Sequence, residues 1–173
     1  MKTFLSVIFM LAAVVITSQA QAPPSPEAAK AEMKKLDKLV GQWKGSGWIQ
    51  QGPNRETFAG TENVQSKVQG LAILIEGKFS NPEGKVIHET LAAMSFDPKV
   101  GNYRMKTYLA SGISGEYDFK AVGENFEWGF EAGGMTIKYT ITATASTWQE
   151  VGEYSRDAKT WTKFFEMKLD KVK

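Results

Sequence analysis

The chain has no cysteine and a single histidine, His88, in 173 residues. The first absence removes disulfide stapling, thiol nucleophiles and thiolate metal sites. The second removes the paired imidazoles on which transition-metal centres are built, since such sites need several convergent donors. Zinc is therefore not expected, and neither is any other resident cofactor. No Gly-x-Ser-x-Gly segment is present to lift a serine onto the sharp turn of a hydrolase; Gly112-Ile113-Ser114-Gly115 reads as a glycine-rich hairpin. No glycine pair lies between a strand and a helix N-terminus, where phosphate loops form. An excess of one charge is missing too. The 21 Lys and Arg nearly balance the 19 Asp and Glu, so no field exists to attract nucleic acid.

Long apolar runs are absent except at the start. Lys2 precedes an almost purely apolar stretch, Phe4 to Thr17, which ends in Ser18-Gln19-Ala20 with small residues at the positions a signal peptidase reads. This is the pattern of a secretory signal peptide. Cleavage after Ala20 is expected, because a cut after Ala22 would place Pro23 next to the scissile bond. The run is shorter than the roughly 18 to 20 residues that a spanning helix needs. The expectation is a secreted or periplasmic protein, monomeric and without membrane insertion once the leader is gone. Residues 21–26 contain three prolines and read as a flexible linker. Residues 27–173 are long enough for one domain with a sizeable core, which explains how an exported chain dispenses with disulfides.

Ser25 and Pro26 are good helix-starting residues, and Met33, Leu36, Leu39 and Val40 recur at helical spacing until Gly41. Lys30, Lys34, Lys35 and Lys38 alternate with Glu27, Glu32 and Asp37, the pattern of a solvated helix face. From Gln42 onward the period is two. Ten strands are predicted: Gln42 to Gln50, Phe58 to Lys67, Leu71 to Ser80, Val86 to Phe96, Tyr103 to Ala110, Gly115 to Ala121, Phe126 to Ala132, Met135 to Thr144, Thr147 to Ser155 and Trp161 to Leu169. Short turns such as Asn81-Pro82-Glu83-Gly84 and Gly133-Gly134 separate them. An open meander of this length would expose two edges and an apolar face. An all-β fold follows, an antiparallel up-and-down barrel of about ten strands with a short N-terminal helix; a β-sandwich is the alternative.

The Leu39-Val40-Gly41-Gln42-Trp43 start after a short helix, the sequential hairpins, the Phe96-Asp97-Pro98 turn and the final strand behind Ser155-Arg156-Asp157-Ala158-Lys159 together resemble the lipocalin-like, or calycin, barrels. More narrowly, the chain is similar to exported bacterial lipocalin-like domains of unknown function. The resemblance covers roughly Leu36 to Leu169. It implies a non-catalytic barrel enclosing a small hydrophobic molecule. Haem-holding relatives use a late histidine, and residues 143–173 contain none.

Alternation points one set of large side chains inward. Trp43, Met105, Phe119, Trp128, Tyr139, Trp148, Phe165 and Met167 are the expected ligand-lining residues, with plain core packing as the competing role. His88 joins them as a candidate contact, against the alternative of a histidine bonded within the wall or facing water. Arg104 is a candidate grip for a ligand carboxylate, although its neighbours Tyr103, Met105, Thr107 and Leu109 form the more apolar face and would turn it outward. Two other functions stay open. Glu62, Glu76 and Glu89 lie within strands, where a buried pair would suit a small isomerase or hydrolase assisted by His88 or a tyrosine; exposed pairing with Lys67, Lys78 or Lys106 is the expected role. Trp48 and Trp161, if exposed, would mark an envelope interaction module.

Overall fold

The computed structural model describes residues 25–172. The expected leader, its cleavage site and residues 21–24 of the linker lie outside the described residues.

Helix α1 (Pro26–Lys34) starts as its sequence dictates. Ser25 is extended and its hydroxyl accepts the Ala28 N–H, Pro26 occupies the first turn, and Glu27 and Lys34 complement the helix dipole at opposite ends. A 3₁₀ turn follows at Asp37–Leu39. Ten strands then run in order: β1 (Gly41–Gln51), β2 (Asn54–Lys67), β3 (Ala72–Ser80), β4 (Val86–Asp97), β5 (Asn102–Leu109), β6 (Ser114–Val122), β7 (Asn125–Ala132), β8 (Met135–Ala143), β9 (Thr147–Ser155) and β10 (Thr162–Lys171). Each pairs antiparallel with the next, and β10 returns to β1 to close the barrel. Closure leaves no unpaired edge and gives alternate residues a common interior.

Helix α1 ends at Lys34, short of the expected run to Gly41, and one strand boundary differs from expectation by more than two residues. Strand β2 begins at Asn54, four residues before Phe58, because β1 and β2 turn tightly with Gln51 opposite Asn54. Arg55, Glu56 and Thr57 carry no apolar alternation to signal a strand. Their ladder partner β1 holds them, and the Arg55 guanidinium lies over the Trp48 ring at 3.8 Å.

The helix closes one end of the barrel. Met33, Leu36 and Leu39 are buried in the same cluster as Trp43. The Trp43 indole N–H donates to the Leu39 carbonyl at 2.8 Å, and its ring meets Trp148 edge-on at 5.9 Å. The Tyr103 hydroxyl donates to the Glu32 carbonyl at 3.0 Å and pins α1 to β5. Gly41 makes the junction possible. Its φ of +141° is a conformation that side-chain-bearing residues avoid, and a Cβ there would strike the Lys171 side chain. With one end plugged, the interior can be reached only from the other.

Candidate ligand-binding site in the open half of the barrel

The open end is where β1 and β9 finish and β8 and β10 begin. A cleft of ≈ 410 Å³ lies there, lined by Gln50, Met135, Ile137, Tyr154, Arg156 and Phe164. It exists partly because of an irregularity in β10. Pairing with β9 skips from Lys163 to Phe165, so Phe164 is a bulge residue, and its ring packs against Tyr139 at 5.7 Å and Tyr154 at 6.1 Å. The β9–β10 turn beside the cleft is held by Asp157. Its carboxylate accepts the N–H groups of Lys159 and Thr160 and the Ser155 hydroxyl, which lower its pKa to about 2.

Beneath the mouth lies a continuous layer of rings. Phe79 meets Phe58 at 5.4 Å, Phe58 stacks with Phe165 at 5.7 Å, Phe165 meets Tyr139 at 5.6 Å, and Tyr139 stacks closely on Trp128 at 4.2 Å. These rings are accommodated by glycines on the same inner face. A Cβ at Gly152 would come within 2.8 Å of the Tyr139 ring and 2.9 Å of Phe165, and the Phe58 and Phe79 rings press equally on Gly47 and Gly60. Glycine in these strands is therefore a packing requirement imposed by close approach.

Under the ring layer sit two carboxylic acids. Glu62 and Glu150 are both buried, each 7% exposed. Glu150 is held by the Trp128 indole N–H, which donates to its Oε1 at 3.0 Å. Burial pushes its pKa up to about 7, partly offset by the N–H groups of Trp128 and Trp148. Glu62 is pushed further, to about 8, by burial first and by the neighbouring Glu150 second. Its Oε2 has no hydrogen-bond partner. The Trp148 indole N–H points at Glu150 as a weak donor but is outside hydrogen-bond geometry. Gly77 provides the seat for Glu62: a Cβ there would lie 2.7 Å and 2.8 Å from its two carboxyl oxygens. Burial also raises the pKa of Tyr139, reinforced by Glu150 and Tyr117. Glu62 is thus mostly protonated near neutrality and Glu150 about half so, and the charge on Glu150 helps Glu62 keep its proton.

The residues expected from sequence to line a lumen divide into groups. Trp43, Met105, Phe119, Trp148 and Met167 are buried in the packed cluster at and around the closed end. Trp128, Tyr139 and Phe165 are partly buried and belong to the ring layer facing the open half. His88 stands opposite Phe79 on the inner face, exposed at the rim, with its pKa lowered by the surrounding protein. Arg104 lies outside the lumen: it is exposed on the outer wall, 3.9 Å from Asp97. Among the acids, Glu76 and Glu89 are outward, bonded to Asn63 and paired with Lys78 respectively. Glu62 corrects the expectation of an exposed partner, being interior. Trp48 and Trp161 are each covered by a cation, Arg55 and Lys138.

Glu150 was missed by sequence reasoning, although the signal is there. Trp148, Glu150, Gly152 and Tyr154 alternate along one strand face, as do Phe58, Gly60, Glu62 and Val64; once the large apolar residues are turned inward, the glutamates must follow.

A closed ten-stranded barrel plugged at one end by a helix, with an aromatic open half, belongs to the calycin-like class of folds. No family model matches the chain, and no curated protein sequence matches it. Among solved structures it is similar to Rv2717c from M. tuberculosis, at TM-score 0.61 and 11% identity over 82% of this chain and 97% of that one. It is similar also to the S-type phycobiliprotein lyase CPES from Guillardia theta, at TM-score 0.54 and 11% identity over 87% and 98%. At such identity the likeness is one of fold.

Proposed function

We propose that the protein is an exported binder of a small hydrophobic molecule, held in the open half of the barrel without chemical change. The observation that carries this reading is the asymmetry of the interior. One end is sealed by Leu36, Leu39 and Trp43, whereas the other presents a ≈ 410 Å³ cleft with Met135, Ile137 and Phe164 over a layer of rings. Such a concave, mostly apolar site with a few polar groups is the usual form of a small-molecule pocket. The expected leader at residues 1–20 fits an exported carrier.

Titration with Nile red tests the reading. Saturable, blue-shifted emission at one dye per chain is expected, and Phe164→Ser, which removes a wall of the cleft, weakens it. Emission that rises without saturating would overturn the proposal.

A specific observation favours a second reading. Two buried carboxyls with raised pKa values are the equipment of an acid–base isomerase or hydrolase. Glu150, the more ionised of the two near neutrality, would be the base and Glu62 the acid, and exchange of a bound ligand's carbon-bound hydrogen with deuterated solvent, lost in Glu150→Gln, is its measurable signature.

A further inference from the structure

We infer that the ligand of this barrel is an organic cation, a hydrophobic amine whose ammonium group seats between Glu62 and Glu150. The inference rests on the reading of the barrel as a binder and names the class of molecule it takes.

Three observations converge. Glu62 stands opposite Trp43 in the β1–β2 ladder, Glu150 stands two residues from Trp148 on the same face of β9, and the two acids are close enough to influence one another. Nothing in the fold neutralises them: among the described residues every ion pair involves side chains on the outer surface, its turns or the helix, and none reaches either glutamate. Finally, Glu62 Oε2 is a buried carboxyl oxygen with no hydrogen-bond partner, and it accepts freely once the acid ionises. A buried polar atom left unpaired costs on the order of 1–3 kcal/mol, so a pair of acids retained with one oxygen unpartnered points to a donor that arrives from outside. The rings beside the pair supply the rest. Trp128 and Tyr139, stacked at 4.2 Å, present the electron-rich faces that attract ammonium groups, and the apolar body of the ligand would extend past Phe58 and Phe165 toward the cleft.

Charge balance gives the inference a proton signature. Of the groups facing the pair, Tyr139 has its pKa raised by burial and stays neutral throughout this range. The cationic or titratable groups of the mouth, Arg156 and His88, lie at the rim. An incoming ammonium must therefore be met by ionisation of the acids themselves. Glu150 is already about half ionised at pH 7, so about half a proton is released on binding there and nearly a whole one at pH 6, and affinity rises from pH 6 to about 8.

The test is displacement of Nile red from the mature chain by three probes of equal length: dodecylammonium, dodecanol and dodecanoate. The amine is expected to displace at a concentration lower than the alcohol by roughly tenfold, the scale of one charge-assisted hydrogen bond. That ratio, measured within each protein, should collapse to near one in Glu62→Gln combined with Glu150→Gln. Calorimetry in two buffers of different ionisation enthalpy should report proton release for the amine alone. Equal displacement by the alcohol, absence of proton release, or a ratio that survives the double substitution would overturn the cation assignment. Tighter binding of dodecanoate would overturn it in favour of a headgroup at Arg156. Those results leave a binder standing, whereas failure of Nile red itself removes the binder reading as well.

Discussion

Replacing Glu62 by Gln should remove most of the fall in this protein's stability as pH rises. Glu62 keeps its proton in the folded state up to about 8, whereas in the unfolded chain it titrates near the ordinary value of 4.5. Between those pH values the native state binds the additional proton, so stability falls as pH rises through that window. Each pH unit is worth about 1.4 kcal/mol, which places the loss from this one group on the order of 4 to 5 kcal/mol by pH 9. Glu150, titrating at about 7, adds a loss in the same direction. His88, whose folded pKa is lowered, works oppositely, since its share of instability disappears as pH rises past its unfolded value. Comparison with the variant cancels His88 and the surface groups. At pH 5 Gln replaces a neutral carboxylic acid of similar shape, and the two proteins should unfold within about 1 kcal/mol of one another. At pH 9 the variant should be the more stable by several kcal/mol, a large fraction of a normal folding free energy of roughly 5–15 kcal/mol. Urea unfolding at pH 5, 7 and 9 reads this directly. Parallel stability profiles for the two proteins would refute the buried, protonated state of Glu62.

Two further perturbations probe the seat of the acid and the plug. Gly77→Ala drives a methyl group into the Glu62 carboxyl and should cost about 1–3 kcal/mol, the scale of overpacking a tight interior; in a Glu62→Ala background the cost should shrink, which a double-mutant cycle measures. Leu36→Ala removes a fully buried side chain from the closed end and should lower unfolding free energy by about 2–5 kcal/mol, while Nile red still binds at the opposite end.

The barrel was legible in the sequence because its signals are local and repeated. Alternation along Met135 to Ile141, tight turns at Gly133-Gly134, and the Ser25-Pro26 helix start each act over a few residues and agree with one another. The start of β2 was not, since Asn54 to Thr57 are strand residues through pairing alone. The candidate site was legible only in part. Strand period told which side chains share a face but not how far along the barrel they stand, so Trp43 and Trp148, which plug one end, looked equivalent to Trp128 and Phe165, which face the other. Nor does it say whether a glutamate flanked by mixed residues faces in or out. Glu62 became readable once Gly60 and Gly77 were seen as space left for rings and a carboxyl, and a glycine in a strand has several other meanings.

The central claim is that two carboxylic acids lie protonated beneath the ring layer as the polar floor of a ligand site. Carbon-13 NMR of a chain labelled at the glutamate side-chain carboxyls tests it most directly. The account predicts two resonances, assigned by Glu62→Gln and Glu150→Gln, that titrate near 8 and near 7 in the free protein and shift to lower pH when dodecylammonium binds. Glutamate carboxyls that all titrate below pH 5, unmoved by the amine, would contradict it.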